Sequence, residues 1–178
     1  MRENNEYLVY WLNSEGYNQK DEGIGIIKEF ESLNCTERLK IAKFYNIVRY
    51  LYLFFSYGGR RSFIDFVEGN DGKIEFCALI VPYSKMAKRY PFVGNSEYSI
   101  IACLTDKKYR GRGIYSNQLE MIKKSGISKN GYVIWTSRDN IYSNNGVIKA
   151  GGTKIQEVVI EKKLLGLIVR CKAISTGD

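Results

Sequence analysis

The segment best suited to chemistry in this sequence is the run Tyr109-Arg110-Gly111-Arg112-Gly113-Ile114-Tyr115. It follows a β-rich stretch at 98–105 and opens onto Tyr115, Leu119 and Ile122, whose spacing of four and three is helical. The first backbone N–H groups of a helix lack intrahelical partners and the dipole there is positive, so a phosphate oxygen can satisfy donors and charge together. Glycine at Gly111 and Gly113 lets the backbone approach such a ligand with no Cβ in the way. The expectation is a phosphate-binding turn between a buried strand and a helix.

Other readings of the same run stay open at this level. Gly111-x-Gly113-x-x-Ser116, with Asp139 after the next strand, imitates a dinucleotide fingerprint, but the third glycine is missing and the acid falls late. Arg-Gly-Arg-Gly could contact nucleic acid, yet it is isolated inside an ordered strand–turn–helix unit. A plain glycine-rich turn without a ligand is the third; two arginines beside unsatisfied amides favour an anion over it.

The chain has no histidine, which excludes Ser-His-Asp and Cys-His catalytic groups and leaves carboxylates, Tyr, Lys, Cys or water for proton transfer. Cys35, Cys77, Cys103 and Cys171 are widely separated, without Cys-x-x-Cys spacing, and read as reduced, buried thiols; neither a metal nor a disulfide is expected. A formal charge of +8 favours anionic partners without choosing between a phosphorylated small ligand and nucleic acid. Much of that charge also suits an ordinary solvated surface.

Around the run, the elements follow from periodicity. Ile41, Phe44, Tyr45, Val48, Tyr52 and Phe55 lie on one face of a single amphipathic helix, with Asn34 and Glu37 as a capping box and Gly58-Gly59 as its stop. Strands at 62–67 and 74–81 flank the turn Gly69-Asn70-Asp71-Gly72. Residues 82–95, which carry both prolines, read as a loop or a short broken helix. The strand at 98–105, the helix to Gly126 and a strand at 132–136 make a βαβ unit with two parallel strands. A short helix at 140–150, closed by Gly151-Gly152, and strands at 155–160 and 164–173 complete the chain. Charged and polar N-terminal residues, and an apolar stretch at 47–55 that Arg49 breaks, point to a soluble, cytoplasmic protein with no membrane span. Residues 1–178 are expected to form one domain.

Arg110 and Gly113 match the coenzyme motif of the GNAT superfamily, which the sequence resembles: Arg or Gln, two residues, Gly, one residue, then Gly or Ala, the last position being Tyr115 here. The resemblance covers roughly 74–160 and includes Asn140 after the next strand, Ser143 three positions later and Gly151 after a short helix. It implies an α/β (α+β) fold: a mixed, mostly antiparallel sheet, helices on both faces, and a parallel strand pair forming the CoA cleft. It implies acetyl-CoA, or another acyl-CoA, held by Arg110, Gly111, Arg112, Gly113, Ile114, Tyr115, Asn140 and Ser143, with the backbone of Cys103, Leu104 and Thr105 pairing with the pantetheine arm. Cys103 would contribute its backbone and not a nucleophile, no histidine being available to activate it.

The Tyr that many members place four residues before that glycine is Val147 here. Tyr142 is the nearest substitute as acid, and Glu97 lies where several members carry a base. The implied reaction is N-acetylation of a primary amine on a small molecule, no nucleic acid being involved; the alternative is a catalytically silent CoA-binding or interaction domain. The runs Ala102-Cys103-Leu104-Thr105 and Gly146-Val147-Ile148-Lys149-Ala150-Gly151-Gly152 look similar to GNATs of bacterial surface-polysaccharide synthesis. This favours an amino sugar on a nucleotide or lipid carrier, whose diphosphate Lys85, Lys88 and Arg89 could meet.

Overall fold

A computed structural model describes residues 3–15, 25–87, 96–163 and 168–173. They form strands β1 (Glu3–Leu12) and β2 (Ile26–Glu29), helices α1 (Cys35–Tyr45) and α2 (Ile47–Tyr57), strands β3 (Phe63–Glu68) and β4 (Ile74–Pro82), the short helix α3 (Ser84–Ala87), strand β5 (Tyr98–Thr105), helix α4 (Ile114–Lys124), strand β6 (Tyr132–Ser137), helix α5 (Ile141–Lys149), and strands β7 (Thr153–Lys163) and β8 (Ile168–Ala173). The strands build one eight-stranded sheet in the order β2-β3-β4-β5-β6-β1-β7-β8. Only β5 and β6 run parallel; every other neighbouring pair is antiparallel. The expected mixed, mostly antiparallel fold with one parallel pair is therefore present. No helix among the described residues is long and apolar enough to cross a membrane.

Strand β4 shows why the sheet carries helices on both faces. Cys77, Leu79 and Val81 point to one side and pack with Ile41, Tyr45, Tyr50 and Leu53 of α1 and α2. Phe76, Ala78 and Ile80 point to the other side and join Leu119 and Ile122 of α4 and Val147 of α5. A strand covered on both faces reads as an unbroken apolar run. The same holds for β1, where Val9, Tyr10 and Leu12 are all buried. The sequence reading found no strand there, because the acidic and polar start at Glu3–Glu6 hides one that lies in the middle of the sheet, between β6 and β7.

The single helix expected through Phe55 is instead two. Asn46 sits between them at φ 65, and its Oδ1 accepts from the Arg49 amide at 3.0 Å, capping α2. With ψ 154 this backbone lies in a region that residues other than glycine rarely adopt, so the surrounding cap and packing must hold it. The break shifts the helical phase: Tyr50, Leu53 and Tyr57 face inward, whereas Val48, Tyr52 and Phe55, expected in the core, are 75%, 51% and 79% exposed. The Asn34–Glu37 capping box is present, and the helix pair stops at Gly58 as expected.

Of the basic loop, Lys88 and Arg89 lie outside the described residues. Lys85 donates to the carbonyls of Tyr57 and Gly58 and to the Ser62 hydroxyl, so its ammonium tethers α3 to the end of α2.

On the α4 face, Asp65 is fully buried in β3. With the Gln118 amide turned toward it, that nitrogen reaches Oδ1 at 3.1 Å and Oδ2 at 3.2 Å, joining α4 to the sheet. Burial pushes the Asp65 carboxyl well above the usual carboxylate range. The folded state therefore holds this proton more tightly than the unfolded chain does. Its contribution favours folding below the unfolded pKa and is lost as pH rises through the raised folded one. Asp65→Asn keeps the shape and removes the charge. It should stabilise the fold above that window by on the order of 1 kcal/mol, about 2–4 °C in Tm, and flatten Tm against pH there. Thermal melts of both proteins across a pH series check this.

Candidate functional site

The site begins where the parallel pair separates. β5 and β6 are paired only from Tyr98↔Tyr132 to Ile100↔Ile134. Beyond that point β6 stays with β1, while β5 bends with a bulge in its pairing to β4: Cys77 faces Leu104 and Leu79 faces Ile101, which leaves Ala102 and Cys103 opposite Ala78 alone. A bulge of this kind kinks its strand and raises the local twist. Ala102 takes φ 54, a strained value for alanine, and its carbonyl accepts from the Tyr45 hydroxyl at 2.6 Å. Desolvation raises the Tyr45 pKa well above that of a free phenol, so the hydroxyl remains a donor.

The separation opens a cavity of about 570 Å³ beside Cys103, Leu104 and Thr105. Its next wall is the glycine turn. A 3-10 turn at Lys107–Tyr109 leads to Gly111 at φ 78 and Gly113 at φ 76, and α4 starts at once with no side chain capping it. The other long helices before and after it, α1, α2 and α5, are each capped by an asparagine. A Cβ built on Gly111 would meet nothing within 4 Å, so the turn is open on the side a ligand would use. The Arg110 Nε donates to the Thr105 carbonyl at 3.2 Å, tying the turn to the end of β5. The Arg112 guanidinium lies over the Tyr109 ring, 5.2 Å from its centroid, and does not line the cavity.

Helix α5 supplies the opposite wall through Tyr142, Ser143, Gly146 and Lys149. Asn140 caps it by accepting from the Ser143 amide at 3.2 Å. Asn144 anchors it: Nδ2 donates to the Ser137 and Arg138 carbonyls, and Oδ1 accepts from the Tyr10 and Thr136 hydroxyls. The buried Lys123 of α4 donates to the Ala150 carbonyl at 2.9 Å, fixing the spacing of the two helices.

Among the residues expected at the site, the structure thus brings together Cys103, Leu104, Thr105, Arg110, Gly111, Gly113, Ile114, Tyr115, Asn140, Tyr142 and Ser143. Glu97 is not among them. It stands at the start of β5, exposed, with Oε2 toward the Lys129 amide at 3.4 Å, roughly 20 Å along the strand from Leu104. Tyr142 is 91% exposed at the rim. Val147, at the position of the family's tyrosine, is fully buried in the core. Tyr109, Ser116, Gly146 and Lys149 also line the cavity, although the sequence reading names them only within motif runs and gives them no site role. A usable signal existed for two of these, since Tyr142, Gly146 and Lys149 are spaced by four and three on one helix face.

Tyr115 fills the space that Gly146 leaves. A Cβ on Gly146 would come within 2.8 Å of Cε1 of the Tyr115 ring and closer still to Cδ1. The ring also packs on Phe76, at 6.2 Å between centroids, and its hydroxyl meets the Cys103 thiol at the cavity wall. Burial raises the Tyr115 pKa far above that of a free phenol and pushes the Cys103 thiol up to about 12. Cys103 therefore stays a thiol at neutral pH and is unsuited to nucleophilic attack.

Alanine normally stabilises a helix interior relative to glycine, by about 1 kcal/mol. Gly146→Ala should do the reverse here, costing about 1–3 kcal/mol, because the new methyl collides with the Tyr115 ring. Urea denaturation of Gly146→Ala, Tyr115→Leu and the double variant checks this: the alanine should be tolerated once the ring is gone.

No family model and no curated protein matches this sequence. Solved structures do match. An acetyltransferase of the GNAT family from Colwellia psychrerythraea superposes with a TM-score of 0.59 at 11% identity, over 90% of this chain and 56% of that one. A protein from Novosphingobium aromaticivorans, described as a GNAT-family acetyltransferase, gives 0.56 at 12% identity over 88% of this chain and 63% of its own. The chain spans less than two thirds of the length of either structure. The fold of this chain is that of GNAT-family acetyltransferases.

Proposed function

We propose that this protein is an acyl-CoA-dependent N-acyltransferase that transfers an acyl group, most simply acetyl, to a primary amine. The observation that carries this reading is the continuity of one cavity from the free edge of β5 to the uncapped N-terminus of α4. Such a cavity suits a ligand with an amide-bearing arm and a pyrophosphate. Acetyl-CoA would supply the activated acyl thioester. The amides at the start of α4 and the open turn at Gly111 and Gly113 would hold the pyrophosphate, with Arg110 beside it. The edge of Cys103, Leu104 and Thr105 would pair with the arm as with an added strand, and an amide there would stabilise the oxygen on which negative charge develops.

Proton supply falls to tyrosine. Tyr115 lines the cavity beside Cys103 and would supply the proton to the thiolate as it leaves. Tyr142, the sequence-based choice, is a rim residue in this reading. A silent CoA-binding domain is favoured by the burial of Val147 where the family has its tyrosine; Tyr115 offers the missing hydroxyl from the facing helix.

The acceptor we favour is an amino sugar on a nucleotide or lipid carrier. Lysine, with a pKa near ~10.4, needs a base to become nucleophilic, whereas an amine beside electron-withdrawing oxygens lies nearer the ~7.7–8.0 of an α-amino group. Glu97 stands at the far end of β5, and no histidine is available, so an amine that is already partly neutral fits better.

Acetyl-CoA should raise Tm, by linkage equivalent to about 2.7 kcal/mol at a hundredfold excess over Kd. Arg110→Glu, at an exposed position, should remove most of that shift, as followed by thermal melts. This variant avoids the backbone strain that any side chain would meet at Gly113. Mass spectrometry of reactions with nucleotide amino sugars and lysine peptides should show acylation of the sugars, undiminished by EDTA. Tyr115→Phe should lower kcat about 10²-fold while leaving the acetyl-CoA shift intact, and Tyr142→Phe should change kcat little. Full activity in Tyr115→Phe would remove that residue from the mechanism without touching the CoA assignment.

A further inference from the structure

Helix α2 is apolar nearly all round. Of its eleven residues, Arg49 is the only ionisable one apart from tyrosines, and Tyr50, Leu53 and Tyr57 already satisfy its inner face. Its outer face carries Ile47 (56% exposed), Val48 (75%), Leu51 (42%), Tyr52 (51%) and Phe55 (79%). A helix that is hydrophobic on every side belongs in a covered environment, and a contiguous exposed patch of this kind marks an interaction surface.

The charge around the patch selects the partner. Lys43 and Arg49 are exposed at the α1–α2 junction, and Arg60 and Arg61 are exposed just beyond the end of α2. Glu37 and Glu68 are paired, with Lys28 at 2.5 Å and Lys40 at 2.6 Å, and the exposed acids Glu29 and Glu31, which flank Phe30 beside Tyr50 and Phe54, are outnumbered by these four exposed basic residues. A second copy of the chain fits poorly, because a two-fold interface would set this basic rim against itself. The apolar face is one convex helix, the shape that enters a lipid interface without needing a matching groove, and basic residues around aromatic and aliphatic ones are the composition of interfacial helices. Eleven residues span only about 16 Å, so the helix would lie in the interface and not cross it.

We propose that the outer face of α2 seats this protein on an anionic lipid surface. The apolar side chains enter the headgroup–acyl boundary, and the basic residues face the lipid phosphates. The arrangement has a consequence for the site. α2 starts two residues after Tyr45, whose hydroxyl holds the Ala102 carbonyl, so the docked helix is joined to the bulged strand through the end of α1. This suits an acceptor borne on a lipid carrier, although the docking surface stands on the exposure and charge of α2 and does not depend on the acyltransferase reading.

The test is co-sedimentation of the full chain with vesicles of phosphatidylglycerol and phosphatidylcholine in equal parts, and with phosphatidylcholine alone. Binding to the first and little to the second is expected. Val48→Ser/Phe55→Ser should weaken it at least about tenfold, since each removed side chain gives up on the order of tenfold in partition. Arg49→Gln should weaken it roughly fivefold, and raised salt should weaken it further. Both serine positions are solvent-exposed, and an unchanged melt and acetyl-CoA shift in the double variant would show that fold and coenzyme site survive. Three results would overturn the proposal: no binding to the anionic vesicles, binding undiminished in the double variant, or self-association or capture of an acidic protein through this face in place of lipid binding. A chain that docks normally but shows no acetyl-CoA shift would count against the acyltransferase reading alone.

Discussion

The bulge in β5 is the constraint on which the rest of the site depends. If β5 continued flat past Ile100, its free edge would pair with β6 and no cavity would exist between them. Two residues against one bend the strand away, and the cost is visible as a positive φ at Ala102. A strained residue persists only when its surroundings over-determine it. Here the Tyr45 hydroxyl holds the Ala102 carbonyl from one face, while β1 holds β6 on the far side of the opening. Helix α1 therefore matters to the site although it never touches the cavity.

The second requirement is that two helices stay apart by a fixed distance once the strands have parted. Lys123 bonds the end of α5, and Asn144 joins α5 to β6 and β1 through four hydrogen bonds. Gln118 sets α4 against Asp65 in the sheet. These buried polar groups rigidify a region that an apolar core alone would let collapse, because each is costly to leave unsatisfied. The α4 N-terminus is left open by contrast, and its donors point where no side chain of α4 reaches them.

How much of this was legible in the sequence depends on whether the signal was local. The glycine turn, the βαβ unit, the β3–β4 hairpin and the Asn34–Glu37 cap are all set by neighbours in the chain, and each is present. Strand β1 was hidden because its polar first half masks a run that is apolar only where it crosses the centre of the sheet. The helix break at Asn46 was hidden for a different reason. The apolar spacing passes smoothly through it, and one asparagine at positive φ resets the phase without changing the composition. The pairing of Tyr115 with Gly146 is thirty-one residues long-range and leaves no periodic trace.

That pairing accounts for the two departures from the GNAT motif together. A tyrosine replaces the small residue in the first turn of α4, and valine replaces a tyrosine in α5. A large ring so early in α4 would collide with the facing helix unless that helix were bare at the point of contact, and Gly146 makes it so. With the ring lying across Gly146, the hydroxyl arrives next to Cys103 on the bulged strand, and the adjacent position in α5 is free to turn inward as Val147 and close the core. Tyr115 thus lines the cavity from α4, across from Gly146 of α5. The other ionisable groups nearby are otherwise committed: the buried Asp65 carboxyl meets Gln118 of α4, and the half-buried Cys103 thiol belongs to the bulged strand itself.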